Sequence, residues 1–120
     1  MNIMDRWVSH ADMVLELKKP GDVIYDQLDP SRADIWHAVT GIVTEAGELM
    51  DTVKKLVVYN KPLDTTNIVE ELGDLEFYME QVRQNLGLSR IVIIQENMRK
   101  LARRYPKGFT DKAAQERADK

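Results

Sequence analysis

At 120 residues, with 43% hydrophobic and 31% charged side chains, the chain is large enough for one real core and too small for two. That balance excludes disordered and membrane classes, and a formal net charge of −3 argues against a general nucleic-acid binder. Apolar runs such as Ile91-Val92-Ile93-Ile94 are too short to span a bilayer, no N-terminal stretch has signal-peptide order, and the absence of cysteine excludes disulfides and thiolate metal sites and leaves the redox compartment undetermined, with the cytoplasm as the default expectation.

Apolar residues recur with a helical period almost throughout, and no stretch alternates like a half-buried strand. A first helix is predicted from about Met4 to Leu17, ended by Lys18-Lys19-Pro20-Gly21. Residues 20–32 read as a loop, with Asp29-Pro30-Ser31 leading into a second helix from about Arg32 to Val57. Asn60-Lys61-Pro62-Leu63-Asp64 is a turn. Thr65 or Thr66 caps a third helix that reaches about Leu86, with Gly87 as its stop. Ser89 caps a fourth helix from about Arg90 to Tyr105, ended by Pro106 and Gly108, and the tail from Thr110 adds a short helix or frays. The expected architecture is a small all-α, four-helix-bundle-like domain spanning residues 1–120.

Two acidic signatures stand out: Glu45-Ala46-Gly47-Glu48 and Glu71-Leu72-Gly73-Asp74. Each sets two carboxylates three residues apart, on one side of a helix and one turn apart. At about 100° per residue, the second helix carries Ile35, Val39, Ile42, Ala46, Leu49, Met50 and Val53 on one face, with Glu45 and Glu48 displaced to one side. The third helix carries Ile68, Leu72, Leu75, Met79, Val82 and Leu86 on its inner face, flanked in the same rotational sense by Glu71 and Asp74. A short turn makes the two helices antiparallel neighbours, so residues displaced in the same sense emerge on one side of the pair. All four carboxylates can converge there. Four negative charges at one spot are costly unless a cation lies between them, and a hard divalent ion, Mg²⁺ or Mn²⁺, suits oxygen ligands.

The surroundings fit such a site. His37, Gly41 and Thr52 share the polar side of the second helix, and Tyr78 lies one turn beyond Asp74. Gly47 and Gly73, inside the signatures, suggest close approach by a ligand or another helix. Asn97, Lys100 and Arg104 share a polar side of the fourth helix, as the far end of a polyphosphate requires. Blander readings stand beside these. A single E-x-x-E on an amphipathic helix is ordinarily solvated surface, and the run from Arg99 to Lys107 complements the negative end of its helix. Histidines and tryptophans on helices are usually packing residues, and a ferritin-like di-iron site would want Glu-x-x-His motifs that this chain lacks.

Asp34-Ile35-Trp36-His37-Ala38-Val39-Thr40-Gly41-Ile42-Val43-Thr44-Glu45-Ala46-Gly47-Glu48-Leu49 resembles the first signature of MazG-like nucleotide pyrophosphohydrolases, in the all-α NTP pyrophosphatase superfamily. Glu70-Glu71-Leu72-Gly73-Asp74-Leu75-Glu76-Phe77-Tyr78 is similar to the second signature. Asn97, Lys100 and Arg104-Tyr105-Pro106 through Phe109 resemble the closing segment of short, often phage-encoded members. The resemblance covers about residues 33–110. It implies hydrolysis of a nucleoside triphosphate to the monophosphate and pyrophosphate, with Glu45, Glu48, Glu71 and Asp74 as the metal ligands and a dimer or tetramer as the assembly. One departure is Thr44, where the family's first signature often carries a further acid.

On this reading Mg²⁺, or Mn²⁺, activates water for attack on the α-phosphorus, and Glu45 or Glu48 takes the proton. Lys100 and Arg104, with Asn97 beside them, hold the β- and γ-phosphates, while Trp7, His37 and Tyr78 are candidates for base contacts. The competing readings are a non-enzymatic helical interaction module with solvated acidic patches, and a nucleic-acid binder using Arg99 to Lys107, which the net acidity disfavours.

Overall fold

The structure is a computed structural model that describes residues 2–119. Helices dominate, and among the described residues there is no strand. The chain divides into two compact units, Met1–Ala33 and Asp34–Lys120, with the boundary where the resemblance begins. No helix among the described residues is long and apolar enough to cross a membrane.

The first unit holds a 3-10 turn at Ile3–Asp5, helix α1 (His10–Leu17), helix α2 (Gly21–Gln27) and the opening turn of α3 (Pro30–Val57). The predicted first helix starts late because Ser9 takes the cap, its Oγ accepting from the Asp12 amide at 3.2 Å. Residues 21–27 are helical where the sequence reads as a loop. Pro20 ends α1 but also stands in extended conformation at the cap of α2, so the same residue closes one helix and precedes the next. Asp29 then starts α3, its Oδ1 accepting from the Arg32 amide at 2.8 Å with Pro30 in the first helical position. Trp7 belongs to this unit: Arg6 lies over its ring at 4.7 Å and its indole N–H donates to Glu16.

The second unit holds the rest of α3, then α4 (Thr65–Leu86), α5 (Arg90–Arg104) and α6 (Asp111–Glu116). Asp64, rather than either threonine, caps α4, accepting from the Asn67 amide at 3.0 Å. Gly87 ends it in the left-handed region at φ 66°, where the Leu88 amide donates to Arg83 at 2.9 Å. Ser89 caps α5 as read from sequence, and the tail, expected to add a short helix or fray, forms α6 with Thr110 as its cap.

Helices α3 and α4 run antiparallel, in a register marked by Gly41 against Tyr78 and Thr52 against Asn67. Gln81 extends it, donating to the Asp34 carbonyl at 3.4 Å. The seam corrects the expected packing. The buried positions are Ala38, Gly41 and Thr52 on α3 and Glu71 and Arg83 on α4, small and polar side chains rather than the apolar stripes. The apolar stripes assigned to the interior are shifted round the helices. Ile42, Leu49, Ile68 and Leu75 are half-buried, while Val39, Met50 and Leu72 are exposed. Gly41 sets this arrangement, because the missing Cβ admits the Tyr78 ring. Gly47 and Gly73, which the sequence marks for close approach, have no neighbour within 4 Å of where a Cβ would stand. They lie on the sides of their helices turned away from the seam.

Candidate metal centre

With the polar stripes of α3 and α4 turned toward each other, the acidic signatures meet across the seam. One carboxylate oxygen from each of Glu45, Glu71 and Asp74 lies within 4.8 Å of the others. Glu45 is half-buried, Glu71 is buried at 6% exposure and Asp74 is exposed, so the cluster opens to solvent at one side. Glu48 lies one turn along α3, outside this group of three, yet its charge still acts on Glu71.

Glu71 carries the strain of the arrangement. A hydrogen bond shared with the Glu45 carboxyl, burial, and the charges of Glu45, Glu48 and Asp74 together push it up from 4.5 to about 7. Its Oε2 is buried and has no hydrogen-bond partner. A buried carboxylate with one unpartnered oxygen, grouped with two further carboxylates, is a poor arrangement for the protein alone. The donor set is all oxygen, anionic and open on one side, which fits a hard divalent cation such as Mg²⁺ or Mn²⁺.

The remaining sequence-selected residues divide into two groups. His37 and Tyr78 meet edge to face across the seam, ring centroids 6.0 Å apart, one turn from Asp74. Thr44 keeps within its own helix, its hydroxyl donating to the Gly41 carbonyl at 3.0 Å. Lys100 and Arg104 are engaged elsewhere. Asp119 takes the Arg104 guanidinium in a two-pronged pair, Nε–Oδ1 2.6 Å and Nη2–Oδ2 3.0 Å, with Lys100 Nζ 3.8 Å from Oδ2. Asp119's side chain is fully shielded, and the Arg104 pair holds its carboxyl down at about 2. Asn97 is exposed on α5.

Sequence reasoning placed Thr52 on the polar side of its helix but missed two contacts. One is that of the buried Thr52, whose Oγ1 accepts from the Asn67 side-chain amide and donates to the Glu48 carbonyl at 3.4 Å. Its seven-residue offset from Glu45 and the matching four-residue offset of Asn67 from Glu71 were the available signals. The other is that of Asp119, fifteen residues from Arg104, for which no local pattern exists.

A family model of the MazG nucleotide pyrophosphohydrolase domain matches residues 37–109, a span that contains both acidic signatures and all of α4 and α5. No curated protein and no solved structure matches the chain significantly. Because the family match takes in more than half of the 120 residues, the chain belongs to the MazG nucleotide pyrophosphohydrolase family.

Proposed function

We propose that this protein is a Mg²⁺-dependent nucleoside triphosphate pyrophosphohydrolase, converting an NTP or dNTP to the monophosphate and pyrophosphate. The observation that carries the reading is the meeting of Glu45, Glu71 and Asp74, with one Glu71 oxygen buried and unpartnered, in a chain of this family. These three residues, joined by Glu48, would hold the cation. A bound Mg²⁺ or Mn²⁺ would supply positive charge for the phosphate oxygens and a more acidic water.

The chain's own residues supply the rest. Glu45 or Glu48 takes the proton as a water oxygen attacks the α-phosphorus and the bond to the bridging oxygen breaks, releasing pyrophosphate. Tyr78 and His37, one turn from Asp74, offer ring edges to the nucleoside. Lys100 and Arg104 can serve the phosphates only after Asp119 has released them.

Incubating the purified protein with a panel of nucleoside triphosphates, with and without EDTA, tests this directly. Monophosphate and pyrophosphate should form, stop with EDTA, and resume with Mg²⁺ or Mn²⁺. Diphosphate with orthophosphate as the products, or turnover undiminished in EDTA, would overturn it.

The assembly is part of the same proposal. Val39, Met50 and Leu72 are exposed beside the seam, and half-buried Ile42, Leu49 and Leu75 continue their surface. A second copy with the same surface covers it, giving a dimer or a tetramer built from dimers. Light scattering at micromolar concentration should give at least twice 13.8 kDa. A stable monomer would refute this.

A further inference from the structure

After α5 the chain doubles back on itself. Tyr105 ends the helix, its amide donating to the Leu101 carbonyl at 2.8 Å, and Pro106 keeps the helix from continuing. Gly108 then turns in the left-handed region at φ 86°, and α6 packs on α5. Arg117 closes α6, and two residues later Asp119 reaches the side chains of Lys100 and Arg104, one turn apart on α5.

Little apolar surface holds this segment down. A helix of six residues is too short to persist by itself, and within it Ala113 and Ala114 are half-buried while the other four residues are exposed. Two methyl groups bury a small area, so the ion pair of Asp119 with Arg104 is the principal tie. Segments held in this way open more easily than packed helices do. Opening to water alone, however, leaves Lys100 and Arg104 as like charges one turn apart with no carboxylate, since Asp119 is the one that pairs with either among the described residues. The segment opens most readily toward an anion that takes both cations over.

Asp119 is a minimal anion for that place. It brings one negative charge, engaged on two prongs at Arg104, 2.6 and 3.0 Å, with the Lys100 ammonium more loosely held at 3.8 Å. Pyrophosphate, or the β- and γ-phosphates of a nucleoside triphosphate, carries more charge and more oxygens and can pair with both cations at once. A nucleoside monophosphate has a single phosphate, which the reaction above places at the carboxylate cluster, and has none left for α5.

We infer that α6 with Asp119 is a strap closed over Lys100 and Arg104, and that the polyphosphate part of substrate or product opens it by displacing the Asp119 carboxylate. The inference rests on the reaction proposed above, in which Lys100 and Arg104 serve the phosphates once Asp119 has released them.

The test uses full-length Asp119→Asn and Asp119→Ala, each checked for unchanged helicity by circular dichroism. A strap closed in roughly nine-tenths of the unliganded protein lowers apparent affinity about ten-fold. Both variants should therefore bind pyrophosphate in Mg²⁺ about ten-fold more tightly by calorimetry and show KM for the triphosphate lowered by a similar factor, with monophosphate inhibition unchanged. Equal or weaker pyrophosphate binding in both variants, or equal tightening for pyrophosphate and monophosphate, overturns the inference and leaves the proposed reaction standing. A second measurement needs no variant. Amide hydrogen exchange over α6 in the wild type should quicken several-fold on saturation with pyrophosphate in Mg²⁺. Exchange that is unchanged or slowed makes Asp119 a fixed structural tie and refutes the strap. Tighter pyrophosphate binding in the variants, with faster exchange in a wild type that hydrolyses no triphosphate, upholds the strap and refutes the reaction.

Discussion

Replacing Glu71 by Gln should abolish pyrophosphate release and, in the same protein, raise the melting temperature of the metal-free form at neutral pH and above. Both effects follow from one side chain. Glu71 is the buried member of the carboxylate group and supplies the unpartnered oxygen, so losing its charge removes the most enclosed ligand for a divalent ion. The same charge is the most costly when no cation is present, because Glu45, Glu48 and Asp74 all act against it. Gln keeps the shape, can donate to the Glu45 carboxylate and adds no charge. Circular dichroism should show unchanged helicity, which keeps inactivity from being confused with unfolding. An active Glu71→Gln enzyme would dissolve the site assignment, and a destabilised metal-free variant would contradict the account of repulsion.

The pH dependence carries the same signature. Glu71 is raised from 4.5 to about 7, so the folded protein holds this proton more tightly than the unfolded chain does. Its contribution to stability is therefore fully present below 4.5 and is lost as pH rises through 7. In EDTA, the wild type should lose stability relative to Glu71→Gln across that window, and the difference curve isolates Glu71 from other titrating groups. Saturating Mg²⁺ should reverse the loss, because an ion that binds only the folded state stabilises it by mass action.

The convergence of Glu45, Glu71 and Asp74 was readable from the sequence because it depends only on helical rotation and a short turn. Each residue is displaced in the same sense from its apolar stripe, and an antiparallel hairpin does the rest. The capped ends of α4 at Gly87 and of α5 at Ser89 were readable for a similar reason, since caps are local chemistry. Features set by which surfaces meet were not. Periodicity located the apolar stripes but could not reveal that α3 and α4 would join along the neighbouring small and polar one. Pro20-Gly21 read as a break when it is a junction between helices. The Arg104–Asp119 pair has no sequence pattern at all, and it changes what Lys100 and Arg104 are free to do.

Gly41→Ala should destabilise the protein, whereas Gly47→Ala and Gly73→Ala should stabilise it. All three glycines lie inside helices, where alanine gains up to about 1 kcal/mol of intrinsic propensity. At positions 47 and 73 nothing within 4 Å opposes that gain. At position 41 the new Cβ would stand 2.5 Å from Cε1 and Cγ of Tyr78, so the ring or the helix must move. Overpacking of this kind costs about 1–3 kcal/mol, which outweighs the propensity gain over most of its range. The Tyr78 ring is also packed against His37 and Phe77, at 6.0 and 5.2 Å between centroids, so it cannot swing aside without breaking those contacts. Because Tyr78 lies one turn from Asp74, a displaced ring should also raise KM for the triphosphate. The melting temperature of Gly41→Ala should fall by several degrees and those of the other two should rise by about as much. If Gly41→Ala melts as high as Gly73→Ala, the close approach at this seam is not what joins α3 to α4, and the polar packing of the carboxylate cluster would need another cause.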